Sequence, residues 1–168
     1  MSERRLVLIR HAEAASALAD ADRQLTPRGS YDAAAVGAWL AEVGVLPDRV
    51  VVSSARRARQ TWDRATEALS AVPDAVVDER LYENTPELLL EVIQEAGEAV
   101  TTLVVVGHNP SIGQLLRVLG DESGDPNARA DLESGVPPGT AALFALDVPF
   151  GEVEPGRARL TAVRLPAR

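Results

Sequence analysis

Arg5-Leu6-Val7-Leu8-Ile9-Arg10-His11-Ala12-Glu13 places four apolar residues between arginines and follows them at once with a histidine. Four apolar residues bounded this sharply are too few for a buried helix, and their lack of alternation suits a strand covered on both faces. The first strand is therefore read as Arg5 to Arg10. Similar runs rich in Val and Leu follow at Val50 to Ser53, Ala75 to Asp78 and Leu103 to Gly107. Two longer, more alternating ones lie at Ala141 to Val148 and Ala158 to Leu165. Between these runs the apolar residues take a helical period. The pattern predicts an α/β fold of three layers, α/β/α, with helices on both faces of a mainly parallel central sheet.

A capping residue followed by proline marks helix starts at Thr26-Pro27, Thr85-Pro86 and Asn109-Pro110, since the first helical N–H has no partner to lose. After the second strand, Ala55, Ala58, Trp62, Ala65, Leu69 and Val72 alternate spacings of three and four and so draw one buried helical stripe. Gly120 to Gly139, with three prolines and several acids, reads as a long irregular stretch, either a lid or a mobile loop.

Length and charge narrow the function. At 168 residues the chain suits one domain, residues 1–168, because domains commonly run to ~100–150 residues or somewhat more. With 17 basic against 25 acidic residues the net charge is −8, which repels polyanions over most of the surface. Neither nucleic acid nor membrane is an expected partner. The absence of Cys excludes a thiolate nucleophile and fits a reducing compartment. Every basic residue apart from two histidines is arginine, which removes lysine Schiff-base chemistry and the P-loop lysine. A secretory signal needs an apolar run of ~7–15 residues and a spanning helix ~20, and no run here reaches either. The chain reads as soluble and cytoplasmic. Nothing in the sequence sets an oligomeric state.

The chemistry gathers at strand ends. The first strand runs into Arg10-His11-Ala12-Glu13, the second into Ser53-Ser54-Ala55-Arg56-Arg57-Ala58-Arg59, and the fourth into Gly107-His108-Asn109-Pro110. Ligands of open parallel sheets bind at the carboxyl ends of the strands, so both histidines and an arginine cluster would share one rim. Cations at a helix start oppose the macrodipole and suggest an anion nearby, although Arg56 and Arg59 also suit a solvated helix face. Guanidinium forks match phosphoryl oxygens, and a neutral imidazole can attack phosphorus. Two histidines with scattered carboxylates make a weak zinc site, and the chain has no Gly-x-Ser-x-Gly elbow of a serine hydrolase.

Together these segments resemble the histidine phosphatase superfamily, with its phosphoglycerate mutase-like fold, and within it the compact phosphohistidine phosphatases similar to SixA. Leu8-Ile9-Arg10-His11-Ala12-Glu13-Ala14 is similar to the family's Arg-His-Gly strand end, with Ala12 where glycine is usual. Leu25-Thr26-Pro27-Arg28-Gly29 resembles its Leu-Thr-x-x-Gly segment. Ser53 to Thr61 resembles Ser-Pro-x-x-Arg-Ala-x-Gln-Thr, with Ser54 replacing proline, a register that makes Arg57 the phosphate-binding arginine. Gly107-His108-Asn109-Pro110 resembles the second-histidine motif, and Val136 to Ala141 the turn before a late strand.

The resemblance implies that His11 becomes transiently phosphorylated while Arg10, Arg57 and His108 hold the phosphoryl oxygens, with no metal or other cofactor. It implies a substrate that is a phosphorylated protein histidine or a small phosphorylated molecule. In the phosphomonoesterase and mutase branch a glutamate after a leucine is the general acid, and Leu81-Tyr82-Glu83 puts Glu83 near that place. SixA-like members lack a dedicated acid, and Glu83 also suits a solvated loop. The short chain favours a phosphohistidine phosphatase, a small-molecule phosphomonoesterase is the alternative, and a non-catalytic phosphate-binding module is the reading from another class.

Overall fold

β1 (Arg4–Arg10), β2 (Arg49–Val52), β3 (Val76–Val77), β4 (Thr102–Gly107), β5 (Ala141–Leu146) and β6 (Arg159–Arg164) build one sheet in the order β3-β2-β4-β1-β5-β6. The computed structural model describes residues 3–167. β1 lies inside the sheet because its apolar run leaves no face for water: Leu6, Val7, Leu8 and Ile9 are each 0% exposed. Burying each such side chain is worth ~1.5–3 kcal/mol over leaving it in water. Pairing is parallel between β1 and β4, β4 and β2, and β2 and β3, while β5 runs against both its neighbours.

Successive residues of the strands feed two cores. Leu6 and Leu8 join Leu103, Val105 and Phe144 on one face, and Val7 and Ile9 join Val104 and Val106 on the other. α1 (Pro27–Glu42) and α2 (Arg56–Thr66) close the second core with Val36, Leu40, Ala58, Trp62 and Ala65. The first is closed by α3 (Glu79–Glu83), α4 (Pro86–Gln94), α5 (Ser111–Val118) and α6 (Pro126–Glu133), through residues such as Leu81, Leu89, Ile112 and Leu132. These are the three layers expected of an α/β/α fold. Among the described residues no helix is long and apolar enough to cross a membrane.

Thr26 and Thr85 cap α1 and α4 through their side chains, accepting from the Gly29 and Leu88 N–H groups. The third cap differs from expectation: α5 begins at Ser111 after Pro110, and Asn109 Oδ1 reaches in from outside to accept from the Gly113 N–H at 2.9 Å. The stripe drawn through Val72 outruns its helix. α2 ends at Thr66, whose hydroxyl bonds the Asp63 carbonyl and competes with the ladder, and Leu69 and Val72 pack on the second core from beyond it. The largest correction concerns 120–139, which is not an irregular stretch: it holds α6, capped by Asp125 Oδ2 on the Ala128 N–H at 2.8 Å, with Pro126 in the first turn. Its polar composition concealed it, because the core takes just Ala128 and Leu132 from this helix.

Where α1 crosses α2, Gly37 lets the helices touch. A Cβ at this position would stand 2.0 Å from the Ala65 carbonyl oxygen and 2.7 Å from its Cα. Alanine in a helix interior normally gains ~1 kcal/mol over glycine, but overpacking costs ~1–3 kcal/mol, and the overlap here is with main chain that cannot swing aside. Gly37→Ala should therefore lower the urea unfolding midpoint; a midpoint raised above wild type would contradict the close crossing.

Candidate active site

Parallel pairing ends β1, β4 and β2 side by side. The His11 N–H donates to the Gly107 carbonyl at 2.9 Å, and the Ser53 N–H to Val106 at 3.0 Å. Each of the segments singled out in the sequence therefore leaves the sheet on the same rim, and the two imidazoles meet with ring centroids 5.0 Å apart, inclined at 57°.

Side chains from one segment tie down the backbone of another. Thr61 Oγ1 accepts from the Ala12 N–H at 3.0 Å while donating to the Arg57 carbonyl at 2.7 Å. Gln60 Oε1 accepts from the Leu25 N–H at 2.9 Å. Thr26 Oγ1 donates to Glu13 Oε1 at 2.8 Å. Gly29 sits so near the turn after His11 that a Cβ would lie 2.0 Å from the Glu13 carbonyl oxygen, which explains a glycine in the first turn of α1. Opposite, the Gly139 N–H donates to both the Arg10 and His11 carbonyls, at 3.1 and 3.0 Å, from a backbone with φ of +91° that glycine adopts freely.

His11 Nδ1 lies 2.8 Å from the Ala12 carbonyl oxygen. A carbonyl can only accept, so Nδ1 carries the hydrogen and Nε2 keeps its lone pair. His108 Nε2 lies 2.7 Å from Ser53 Oγ, which also accepts from the Ala55 N–H. Both groups are satisfied when Ser53 donates to Nε2, which leaves the hydrogen of a neutral His108 on Nδ1. That atom is buried without a partner in the protein, as are Arg10 Nε and Arg57 Nε. Three arginines elsewhere also have an unpartnered Nε, so the imidazole atom is the telling one.

Burial holds both rings neutral. Desolvation first, then the nearby cations Arg57 and Arg10, push His11 down to about 4 against the favourable bond to Ala12. Desolvation again leads for His108, followed by His11 and Arg57, and brings it to about 3. Arg57 is 6% exposed, and its terminal nitrogens bond Asp20, Nη1 to the main-chain oxygen at 2.8 Å and Nη2 to Oδ2 at 3.1 Å. The Tyr82 hydroxyl, then Arg57, holds Asp20 down to about 2. Arg10 Nη1 donates to the Val136 carbonyl at 2.8 Å.

A rim of two guanidiniums and two neutral imidazoles, one of them with an unpartnered donor, offers hydrogen bonds that a tetrahedral anion can accept. The sequence model of the histidine phosphatase superfamily (branch 1) matches residues 6–98, from within β1 to just beyond α4. The chain belongs to this superfamily.

Some of the proteins that the chain is similar to carry the SixA name. The phosphohistidine phosphatase SixA of Escherichia coli is 32% identical over 118 residues, 67% of this chain and 71% of that one. A Nakamurella multipartitia structure assigned provisionally as phosphohistidine phosphatase SixA superposes with a TM-score of 0.87 at 32% identity, covering 100% of this chain and 99% of its own. The protein histidine phosphatase SixA complexed with tungstate superposes at 0.74 with 25% identity, over 96% of this chain and 97% of that one. A Plasmodium falciparum phosphoglycerate mutase shares the fold, at a TM-score of 0.59 and 18% identity.

Arg10, His11, Arg57 and His108 thus come together on one rim of a histidine phosphatase. Arg56 and Arg59 are exposed. Glu83 is exposed at the last turn of α3. The side-chain amide of the next residue, Asn84, donates to the Asn109 carbonyl at 2.7 Å and accepts from the Ser111 hydroxyl at 2.8 Å, so Ser111 is engaged in supporting the His108 segment. Asp20, Tyr82 and Asn84 were not read from the sequence. Their site partners lie 25 to 62 residues away, and no local spacing announces them.

The neutral rings make the fold acid-sensitive. An unfolded histidine binds its proton near pH 6.5, whereas these resist until about 4 and about 3, so acid favours the unfolded chain. The stability conferred by the neutral rings is complete above pH 6.5 and lost as pH falls toward 3. Imidazole nitrogen spectra at neutral pH should show both rings uncharged, with His11 protonated at Nδ1, and the urea midpoint should fall as pH drops from 6.5 to 4. A native ring titrating at its unperturbed value would contradict this.

Proposed function

We propose that this histidine phosphatase is a single-domain, cytoplasmic phosphohistidine phosphatase that passes the phosphoryl group through His11 to water. The observation that carries the reading is the locked tautomer of His11 beside the unpartnered Nδ1 of His108. His11 Nε2 attacks phosphorus, the phosphoryl bond to the leaving nitrogen breaks, and that nitrogen takes up a proton. Water then attacks the phosphohistidine, orthophosphate departs, and Nε2 regains its lone pair. Arg10 and Arg57 hold equatorial oxygens through guanidinium N–H groups, and His108 does so through Nδ1–H. Tungstate, a tetrahedral oxyanion bound by a SixA relative, is the kind of ligand such a pocket selects.

We take turnover to be metal-independent. The polar hydrogens facing the site repel a cation, and Asp20 is engaged by Arg57 and Tyr82. What supports a protein-borne substrate is that the middle of 120–139 packs into the fold as α6, with Ala128 and Leu132 in the core, so that only its end, at Val136 and Gly139, borders the rim. The same segment arched over the rim would confine the site to small molecules. An imidazole leaving group also needs less help from an acid than an alkoxide, so exposed Glu83 has no required part.

Brief incubation with a labelled phosphoryl donor should leave acid-labile, base-stable phosphate on wild type and none on His11→Ala. Equal labelling of both would remove His11 as nucleophile. Absence of both labelling and turnover would favour the phosphate-binding module. Turnover efficiency should be highest for a phosphohistidine protein in a panel with free phosphohistidine, sugar phosphates and an aryl phosphate, and should survive saturating chelator. Preference for an O-phosphate ester, lost in Glu83→Gln, would establish the small-molecule phosphomonoesterase with Glu83 as its acid.

A further inference from the structure

We propose that Asp20 and Tyr82 are positioning residues for phosphoryl transfer, fixing the Arg57 guanidinium so that its Nε–Nη2 edge faces the reacting group. The proposal rests on the assignment of Arg57 to the phosphoryl oxygens.

The five N–H donors of a guanidinium lie in one rigid plane and leave it along distinct edges. Asp20 takes the end-on edge: Nη1 donates to its main-chain oxygen at 2.8 Å and Nη2 to Oδ2 at 3.1 Å. Bonded through two nitrogens at once, the group is held against rotation about its last bond. With the end-on edge taken by Asp20, what remains for a ligand is the side-on edge, Nε–H with the second hydrogen of Nη2; an unpartnered Nε alone would not mark it, since arginines outside the site share that state. Two oxygens of a phosphoryl group match that edge as a bidentate acceptor.

Asp20 is held in turn. Its Oδ2 accepts from the Tyr82 hydroxyl at 2.7 Å, and its Oδ1 from Arg23 Nη1 at 3.4 Å. The Tyr82 ring stands edge-on to His108, centroids 5.9 Å apart at 73°. One aromatic side chain therefore braces the carboxylate that steadies Arg57 while its ring borders an imidazole of the same site.

Packing does not account for this placement. Residues 15–22 are exposed throughout, and the short helical turn Asp20–Asp22 buries no side chain. A solvated carboxylate adds little to stability. What Asp20 does supply is two acceptors that hold a guanidinium, itself 6% exposed, in one orientation.

The test is a double-mutant cycle on hydrolysis of a phosphohistidine peptide. Asp20→Ala should lower kcat on the order of 10- to 100-fold, the scale of a misplaced catalytic group, with a smaller change in KM. Asp20→Asn should recover much of this, because its amide oxygen still accepts from Nη2, and Tyr82→Phe should lose less than Asp20→Ala. In an Arg57→Ala background, Asp20→Ala should have no further effect. Unchanged thermal midpoints separate positioning from folding. Three results would overturn the proposal: multiplicative losses in the double variant, full kcat in Asp20→Ala beside a crippled Arg57→Ala, or tighter calorimetric binding of tungstate by Asp20→Ala, which would make the carboxylate a competitor of the anion. If Arg57→Ala proves as active as Arg56→Ala, the assignment of Arg57 to phosphate fails, and this inference fails with it.

Discussion

Parallel pairing of β1 with β4, in the register that sets Arg10 beside Gly107, is the constraint on which the rest depends. Parallel strands end at one level, so the residues that follow them meet on one rim. With antiparallel pairing, or a slip of a few residues, His11 and His108 would leave the sheet at different heights. The register is enforced by the two cores. Leu6 and Leu8 must face one and Val7 and Ile9 the other, and a one-residue shift would exchange the faces of the whole strand. Chemistry and core packing are thus set by the same four residues.

Much of this was legible because the strands and the strand-end motifs are local. Short apolar runs rich in Val and Leu announced all six strands, and Thr26-Pro27 and Thr85-Pro86 announced two helices through the chemistry of an orphan N–H. Asp125-Pro126 carries the same signal and begins α6. It is obscured by the acids and prolines around it, which mimic the composition of a loop. The end of α2 was obscured for the opposite reason: Leu69 and Val72 keep the apolar spacing because they still face the core, although the hydrogen-bond ladder has stopped.

The site divides along the same line. Residues at strand ends could be placed from topology, because a strand end has one location in a parallel sheet. Asp20 and Tyr82 sit on exposed or partly exposed segments whose positions are set by tertiary contact. Neither has a periodic pattern to reveal which face it serves. Gly29 and Thr61 are an intermediate case, recognisable as parts of motifs but intelligible through a 2.0 Å clearance and a hydrogen bond across 49 residues.

An acidic protein that buries cations at its reactive rim uses electrostatics in two directions. The net charge of −8 discourages polyanions over the surface at large, while Arg10 and Arg57 focus attraction for a small anion on the pocket. Inside it, the same cations join desolvation in keeping His11 and His108 unprotonated, which preserves the lone pair on Nε2. A phosphoryl dianion reverses the sign of that field. Bound as proposed, it would compensate the positive charge that suppresses protonation of His108 and accept from Nδ1–H, so hydrogen bonding to the imidazole would strengthen as charge develops on the oxygens. In the proposed reaction His11 would be screened from that reversal as its nitrogen bonds phosphorus. Two rings made alike by burial would thereby take opposite tasks in the proposed reaction, and the difference follows from which nitrogen each has already committed, Nδ1 to the Ala12 carbonyl in one and Nε2 to Ser53 in the other.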